Sequence, residues 1–316
     1  MVGGESVIAG SGAGSGNSIA TEVWRPDLDE RERDRLTEIL QELADDPFLR
    51  QVAARSLALM KLAPGQRVLD VGCGSGVLLP ALAQAIAPAG RVVGFDYAAA
   101  FLEEARVRVD GAGVGDRVEL RSGDAHHLPF PDASFDAAHT ERVLMHLDDP
   151  DAVLAEMHRV VKPGGWVVAA EPDSSGVRTD HPADPEAMAM ISAKDLASFR
   201  NPNLGLELNR RMARAGLVER VVEVFTEFDP VYHPVVAGGD RRAAEALVSE
   251  GKLSRERADA TLAYLEDASE RGEYAWIGSM VVAAGRVPAA YATAAERGPR
   301  ASPAPGGKEE EADPAR

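Results

Sequence analysis

Apolar residues recur along this chain in two periods. Between about residues 27 and 62, Leu36, Ile39, Leu40 and Leu43, then Phe48, Val52, Leu57 and Leu59, fall at roughly helical spacing, and "DDP" at 45–47 breaks the run. Two helices are predicted there, as a cap over 27–63. From Gln66 the pattern changes to short β-rich runs separated by helical stretches. Strands are predicted at 67–71, 91–96, 117–120, 135–140 and 165–171, and helices at 76–87, 101–113 and 150–161. This alternation predicts an α/β fold, a mostly parallel sheet covered by helices on both faces. A helix at 205–215, a strand at 217–228, a helical insert from about 240 to 271 and a last strand near 275–285 complete the pattern. The Gly/Ser/Ala-rich stretch 1–26 and the Pro- and charge-rich stretch 289–316 are predicted to be disordered tails.

The first strand runs into "DVGCGSG", with Gly72, Gly74 and Gly76 at alternate positions. Glycine has no Cβ, so a strand that ends this way brings bare backbone beside any ligand lying across its carboxyl end. Twenty residues after Gly76, at the end of the second strand, Asp96 stands where a carboxylate accepts both hydroxyls of a ribose. A dinucleotide fingerprint needs a third glycine where this chain has Val77, and no basic side chain in the loop meets a pyrophosphate. That argues against a nicotinamide-dependent reductase. Asp70 instead puts an acid where an ammonium group is welcome.

Composition narrows the partners. The 316 residues carry 34 basic and 51 acidic side chains, a formal charge of -17, so no global attraction to nucleic acid or anionic lipid is available. Cys73, the single cysteine, excludes an internal disulfide, and no apolar run has the length of a membrane span. A reduced, cytoplasmic location is expected. The expected partner is a small molecule, neither nucleic acid nor membrane, with a homodimer left open. The seven histidines show no metal-ligand spacing, so no metal is expected.

Five segments in order, "VLDVGCGSG", "VVGFDYA", "RSGDAHHLPFPDASFD", "ERVLMHLDDP" and "VVKPGGWVVAAEPD", resemble the successive motifs of class I S-adenosylmethionine-dependent methyltransferases. The likeness is to the small-molecule branch with the ubiquinone, menaquinone and natural-product enzymes, and it covers about residues 64–230. It implies a Rossmann-like sheet of seven strands, parallel except for the last, within a domain spanning 64–288. It also implies S-adenosylmethionine as cofactor. Carried over by position, Gly72 and Gly74 pass the methionine portion, Gly76 belongs to the same cofactor-binding loop, and Asp70 orders that loop or its amino group. Asp96 takes the ribose, Tyr97 lies beside the adenine, and Gly123, Asp124 and Ala125 meet the adenine edge. Thr140 offers its carbonyl to the ammonium. Ala98 departs from the Ser or Thr helix cap common at that position, and Met145 with His146 replaces a frequent histidine pair.

Methyl transfer needs no nucleophilic side chain, and a positioned base adds about 10²–10⁴-fold for a hydroxyl or acidic carbon. The candidate bases at strand ends are Glu141, His146 and Glu171, with His181 in the loop beyond the fifth strand. Each has a structural alternative. His146 can bond a loop backbone, Glu171 can be a paired buried acid, and Glu141 can pair with Arg142. His126 and His127 are expected to face solvent, His139 to be packed inside a strand, and Cys73 to be a small packing residue. Segments 174–205 and 236–274 are expected to form a lid. Met188, Met190, Ile191, Leu196 and Phe199 are either its apolar lining or ordinary core. The function expected is methyl transfer to an oxygen of a secondary metabolite, with carbon as the next choice and a noncatalytic S-adenosylmethionine-binding regulator as the rival.

Overall fold

The structure is a computed structural model and describes residues 43–289. The first helix of the N-terminal cap, except its last residues 43–45, and both tails lie outside the described residues. The second cap helix, α1 (Pro47–Leu59), is present. "DDP" proves to be its start: Asp46 accepts a hydrogen bond from the Leu49 amide at 3.0 Å, and Pro47 occupies the first turn.

The core alternates as expected: β1 (Arg67–Val71), α2 (Leu79–Ala85), β2 (Arg91–Asp96), α3 (Ala99–Gly111), β3 (Val118–Ser122), β4 (Phe135–Glu141), α4 (Pro150–Val160) and β5 (Val161–Pro172). Then follow β6 (Arg178–Thr179), α5 (Pro185–Leu196), α6 (Leu204–Arg214), β7 (Val218–Asp229), α7 (Pro234–Ser249), α8 (Arg255–Glu270) and β8 (Trp276–Arg286). The strands lie in the order β3-β2-β1-β4-β5-β8, with β7 along the outer side of β8. β1 to β5 are mutually parallel, and β8 runs antiparallel to both β5 and β7.

The sheet has eight strands, one more than the seven expected. The extra strand, β6, is two residues long and continues the line of β5. Pro172 pairs with Met280, the chain bulges out, and Arg178 and Thr179 then pair with Ile277 and Trp276. A strand of that length leaves no periodicity to find.

Both faces are covered. On one, Leu154 and Met157 of α4 and Leu208 and Met212 of α6 pack against Leu69, Val71 and Phe95. On the other, α1, α2 and α3 bring Val52, Leu82 and Ala105 against Val68, Val92 and Val282. Each fully buried side chain of this size contributes roughly 1.5–3 kcal/mol. A third cluster joins α5, α7 and α8 into a helical cap of its own. Met188 and Ile191 belong to that core, which is the ordinary-core reading of those residues. The cap departs from the sheet at β5, β6, β7 and β8, on the side of the parallel strands' carboxyl ends.

Candidate functional site

Four strand exits lie side by side: β2, β1, β4 and β5. Their register sets Asp70 beside Gly94 and His139, and Val71 beside Thr140. The chain leaves β1 in a loop pinned to β2, where the Gly72 and Cys73 amides donate to the Phe95 carbonyl at 2.7 and 3.1 Å.

The three loop glycines have φ of +71°, +52° and +76°, a region that L side chains rarely adopt. Their open sides differ. A Cβ on Gly72 would run into the Val143 side chain, and one on Gly76 would stand 2.8 Å from Ala105 Cβ. One on Gly74 would meet nothing within 4 Å. Gly72 and Gly76 are therefore bare to let protein pack, which revises the expectation that all three open to a ligand. Gly74 keeps its ligand-facing reading.

Asp96 braces that open glycine. Its Oδ2 accepts from the Gly74 amide at 2.7 Å and its Oδ1 from the Ala98 amide at 2.9 Å. Ala98 caps α3 without a side-chain bond, so Asp96 serves the chain there. Burial pushes the Asp96 carboxyl up against the opposing pull of these amides. Each oxygen retains a further lone pair, enough for a ribose diol. Tyr97 beside it is 52% exposed.

At the β3 exit, the Gly123 amide donates to the Asp96 carbonyl at 3.0 Å, and Ala125 packs against the core. Asp124 Oδ1 accepts from the His126 amide at 2.9 Å and lies 2.6 Å from His126 Nδ1. Burial raises the Asp124 carboxyl, but these bonds outweigh it and hold the group below its ordinary range. His126 is thus tied to Asp124 rather than solvent-facing, whereas His127 is exposed.

His139 is packed inside β4 as expected, and its partner is what the sequence did not name. The residue is 1% exposed, and its Nδ1 lies 2.8 Å from Asp70 Oδ1. Its Nε2 stands 3.9 Å from Glu141 Oε2 and makes no hydrogen bond. Burial pushes the imidazole down, but the Asp70 bond and the charges of Asp70, Glu141 and Glu171 outweigh it, leaving the pKa above the usual histidine value. The available signal was a polar residue in an apolar strand, in register with the one acid of β1. Next to it, Thr140 is fully buried and its hydroxyl has no hydrogen bond. Glu141 pairs with Arg142 at 3.7 Å, as its structural alternative anticipated.

Of the other three candidate bases, two have structural roles. Glu171 is fully buried: Oε1 accepts from the Val143 and Leu144 amides at 3.0 and 2.8 Å, and Oε2 from Met145 at 3.4 Å. It holds the turn Leu144–His146, and burial outweighs those amides to push its carboxyl up to about 7. His181 is buried in the cap, where Nδ1 accepts from the Asp184 amide at 2.9 Å and Nε2 donates to the Thr261 carbonyl at 3.3 Å. With both nitrogens on backbone and its ring 4.3 Å from Tyr264, His181 joins α5 to α8 and is withdrawn as a base. His146 sits on the turn that Glu171 holds, its ring 6.1 Å from Phe199. Cys73 is buried, and burial with Asp96 and Asp70 pushes its thiol well up, against any nucleophilic role.

Among the described residues, no cluster of three or more His, Cys, Asp or Glu is placed to hold a metal, and no helix is long and apolar enough to cross a membrane. Clefts of about 350 and 390 Å³ lie in the cap, and neither is lined by the glycine loop. The loop is singled out by its backbone, not by concavity.

A parallel sheet with an open, acid-braced glycine at the β1 exit and further acids at the neighbouring exits defines a nucleoside-binding α/β domain. Residues 69–169 match the family model described as a methyltransferase domain. The chain is 36% identical over 215 residues to an uncharacterised 37.1 kDa protein of transposon Tn4556 from Streptomyces fradiae, covering 68% of this chain and 61% of that protein. It is 43% identical over 112 residues to a demethylmenaquinone methyltransferase of Geobacillus kaustophilus, covering 35% of this chain and 47% of that enzyme. It thus spans less than two thirds of either relative. The fold is shared with a candidate methyltransferase of Bacillus halodurans, at a TM-score of 0.53 and 19% identity, covering 75% of this chain and 98% of that one.

The residues fit the cofactor of this class. Gly74 leaves bare backbone with open space beside it, Asp96 has acceptor capacity for a ribose, and the buried Asp70 and the unbonded Thr140 hydroxyl would be available to a methionyl group.

Proposed function

We propose that this protein transfers a methyl group from S-adenosylmethionine to a hydroxyl oxygen of a small-molecule secondary metabolite, of polyketide, terpenoid or quinone-like type. The observation that carries the reading is the open Gly74 backbone, braced by Asp96, at an edge shared with the turn that bears His146. When bound, S-adenosylmethionine supplies a sulfonium methyl for in-line displacement. Asp96 orients the ribose, Asp124 and Ala125 the adenine, and Asp70 with the Thr140 carbonyl the ammonium.

His146 is the general base in this reading, taking the hydroxyl proton as the acceptor oxygen bonds to carbon. Glu141 borders the same edge, and Glu171 positions the His146 turn. The segments 174–205 and 236–274 act as a lid that excludes water, and their common apolar cluster supports that role. We place the reaction in the cytoplasm, in keeping with the lone buried thiol.

Carbon is the second acceptor atom to consider, because one relative is named a demethylmenaquinone methyltransferase. Incubation with methyl-labelled cofactor and a metabolite extract, followed by mass spectrometry of the products, tests both. A labelled methyl ether supports oxygen transfer, and a methyl on ring carbon supports the second reading. His146→Ala should lower kcat about 10²-fold or more with cofactor affinity unchanged. Equal turnover by that variant removes His146 as base.

A further inference from the structure

The turn out of β4 carries an arginine in a conformation that suits glycine. Arg142 has φ of +54°, in the left-handed region, where a side chain adds strain. The conformation is held from β5. The Arg142 amide donates to the Ala170 carbonyl at 2.9 Å, and the next three amides go to Glu171. The same turn brings Val143 against the bare Gly72 backbone and leads into the segment that bears His146. Glycine would follow this path without strain. The chain keeps an arginine there instead, which calls for a use of its side chain.

The fold makes little use of that guanidinium. Its Nε is buried and makes no hydrogen bond among the described residues, and its ion-pair partner, Glu141 Oε1, stands 3.7 Å away, beyond hydrogen-bond reach. Arg159 shows the contrast. Its side chain is 32% exposed against 28% for Arg142, and it donates to Glu156, to Asp132 and to the Phe130 and Leu128 carbonyls. A buried N–H without an acceptor is unfavourable, and an incoming oxygen would relieve it.

Charge sets the sign of the partner. Within five residues past the ends of β1, β2, β4 and β5, Arg142 is the only lysine or arginine, while Asp70, Asp96, Glu141 and Glu171 stand at or beside those ends. The acids suit a cationic cofactor. A lone guanidinium on the turn between the glycine loop and His146 suits an anionic oxygen, which its planar fork binds through two N–H groups. We propose that Arg142 anchors an anionic oxygen of the methyl acceptor, a carboxylate or a phenolate, and so determines which acceptors are methylated. The inference rests on the methyltransferase reading and adds a substrate class to it, an acidic hydroxyl compound.

The test uses the full chain, methyl-labelled S-adenosylmethionine and a bacterial metabolite extract divided by anion exchange. Carboxylic acids bind the resin at about pH 6 and phenols only near about pH 11, while neutral and cationic compounds pass through. Label is expected in products of a bound fraction, and the fraction that carries it tells carboxylate from phenolate. Arg142→Gly relieves the backbone, so it should melt no lower than the parent and keep its S-adenosylhomocysteine affinity. It should nevertheless raise the amount of the acidic fraction needed for half-maximal labelling by about tenfold or more. Arg142→Lys should raise it less, because it keeps the charge and loses the fork. Guanidinium ion added to the Arg142→Gly variant should restore part of the labelling. Label confined to unbound compounds, unchanged labelling by Arg142→Gly, or a lower melting temperature without rescue overturns the anchor and leaves the methyltransferase reading intact. Absence of label in every fraction overturns it as well, and absence of S-adenosylhomocysteine binding by the parent overturns both.

Discussion

The strand-end edge and the helical cap both bury carboxylates, and the two regions offset them differently. At the edge, Asp70 faces His139 at 2.8 Å, Asp96 accepts two amides and Glu171 three. In the cap, Asp240 has one tyrosine hydroxyl and an acidic neighbour. The Asp70–His139 pair belongs to the internal balance of the fold, so removing His139 leaves Asp70 an uncompensated ion. At Asp240 the fold supplies one hydroxyl against burial and an acidic neighbour, so neutralising that acid relieves it. The sign of a substitution's effect on stability should therefore differ between His139 and Asp240.

The largest effect is expected from His139→Ala, which leaves Asp70 buried without its partner. Stability should fall by about 3–5 kcal/mol in urea unfolding, and a loss under about 1 kcal/mol would remove the distinction at its edge side. Asp240→Asn should act in the opposite direction. Burial raises the folded pKa of Asp240 above that of the unfolded chain, so its stabilising protonation is complete near pH 4 and lost as pH rises through about 7. At about pH 8 the Asn variant should exceed the parent by on the order of 2–4 kcal/mol, and near pH 4 that advantage should vanish. Glu171 shifts in the same direction, to about 7, and stays in the variant, so the pH slope should shrink but persist. Melting curves across that range check both the sign and the window.

A smaller contrast separates the glycines. Gly76→Ala should cost about 1–3 kcal/mol, because it adds contact with Ala105 to an unfavourable φ. Gly74→Ala should cost only about 1 kcal/mol in stability yet weaken S-adenosylhomocysteine binding, whereas Gly76→Ala leaves binding nearly intact once folded. The smallest effect is Ala98→Ser, which adds the missing cap and should gain about 0.5–1 kcal/mol.

The edge was legible in the sequence and the cap was not. "RVLDVGCGSG" couples a strand period to a glycine run, and both survive as β1 and its loop, because backbone conformation at a positive φ writes itself into residue type. Asp96 was legible by its spacing. What each glycine makes room for was not, since Val143 and Ala105 reach the loop from distant elements. His139 and Glu171 were ambiguous for the same reason: a polar residue in an apolar strand signals burial without naming its partner. In the cap, Met188 and Ile191 gave a helical stripe that fits a lining or a core, and packing against α7 and α8 decided for core. His181 lost its catalytic reading to two backbone groups, one of them on α8. Nothing in the sequence marks Asp240 as buried, because the packing of α7 in the cap does that.

Titration calorimetry of the full chain with S-adenosylhomocysteine, alongside its Asp96→Ala variant, bears most directly on the nucleoside berth at Gly74. Saturable one-to-one binding by the parent and a loss of roughly 100-fold or more in the variant are expected, since Asp96 both braces the loop and accepts the ribose. Absence of heat with the parent, or equal affinity in a folded Asp96→Ala protein, would contradict it.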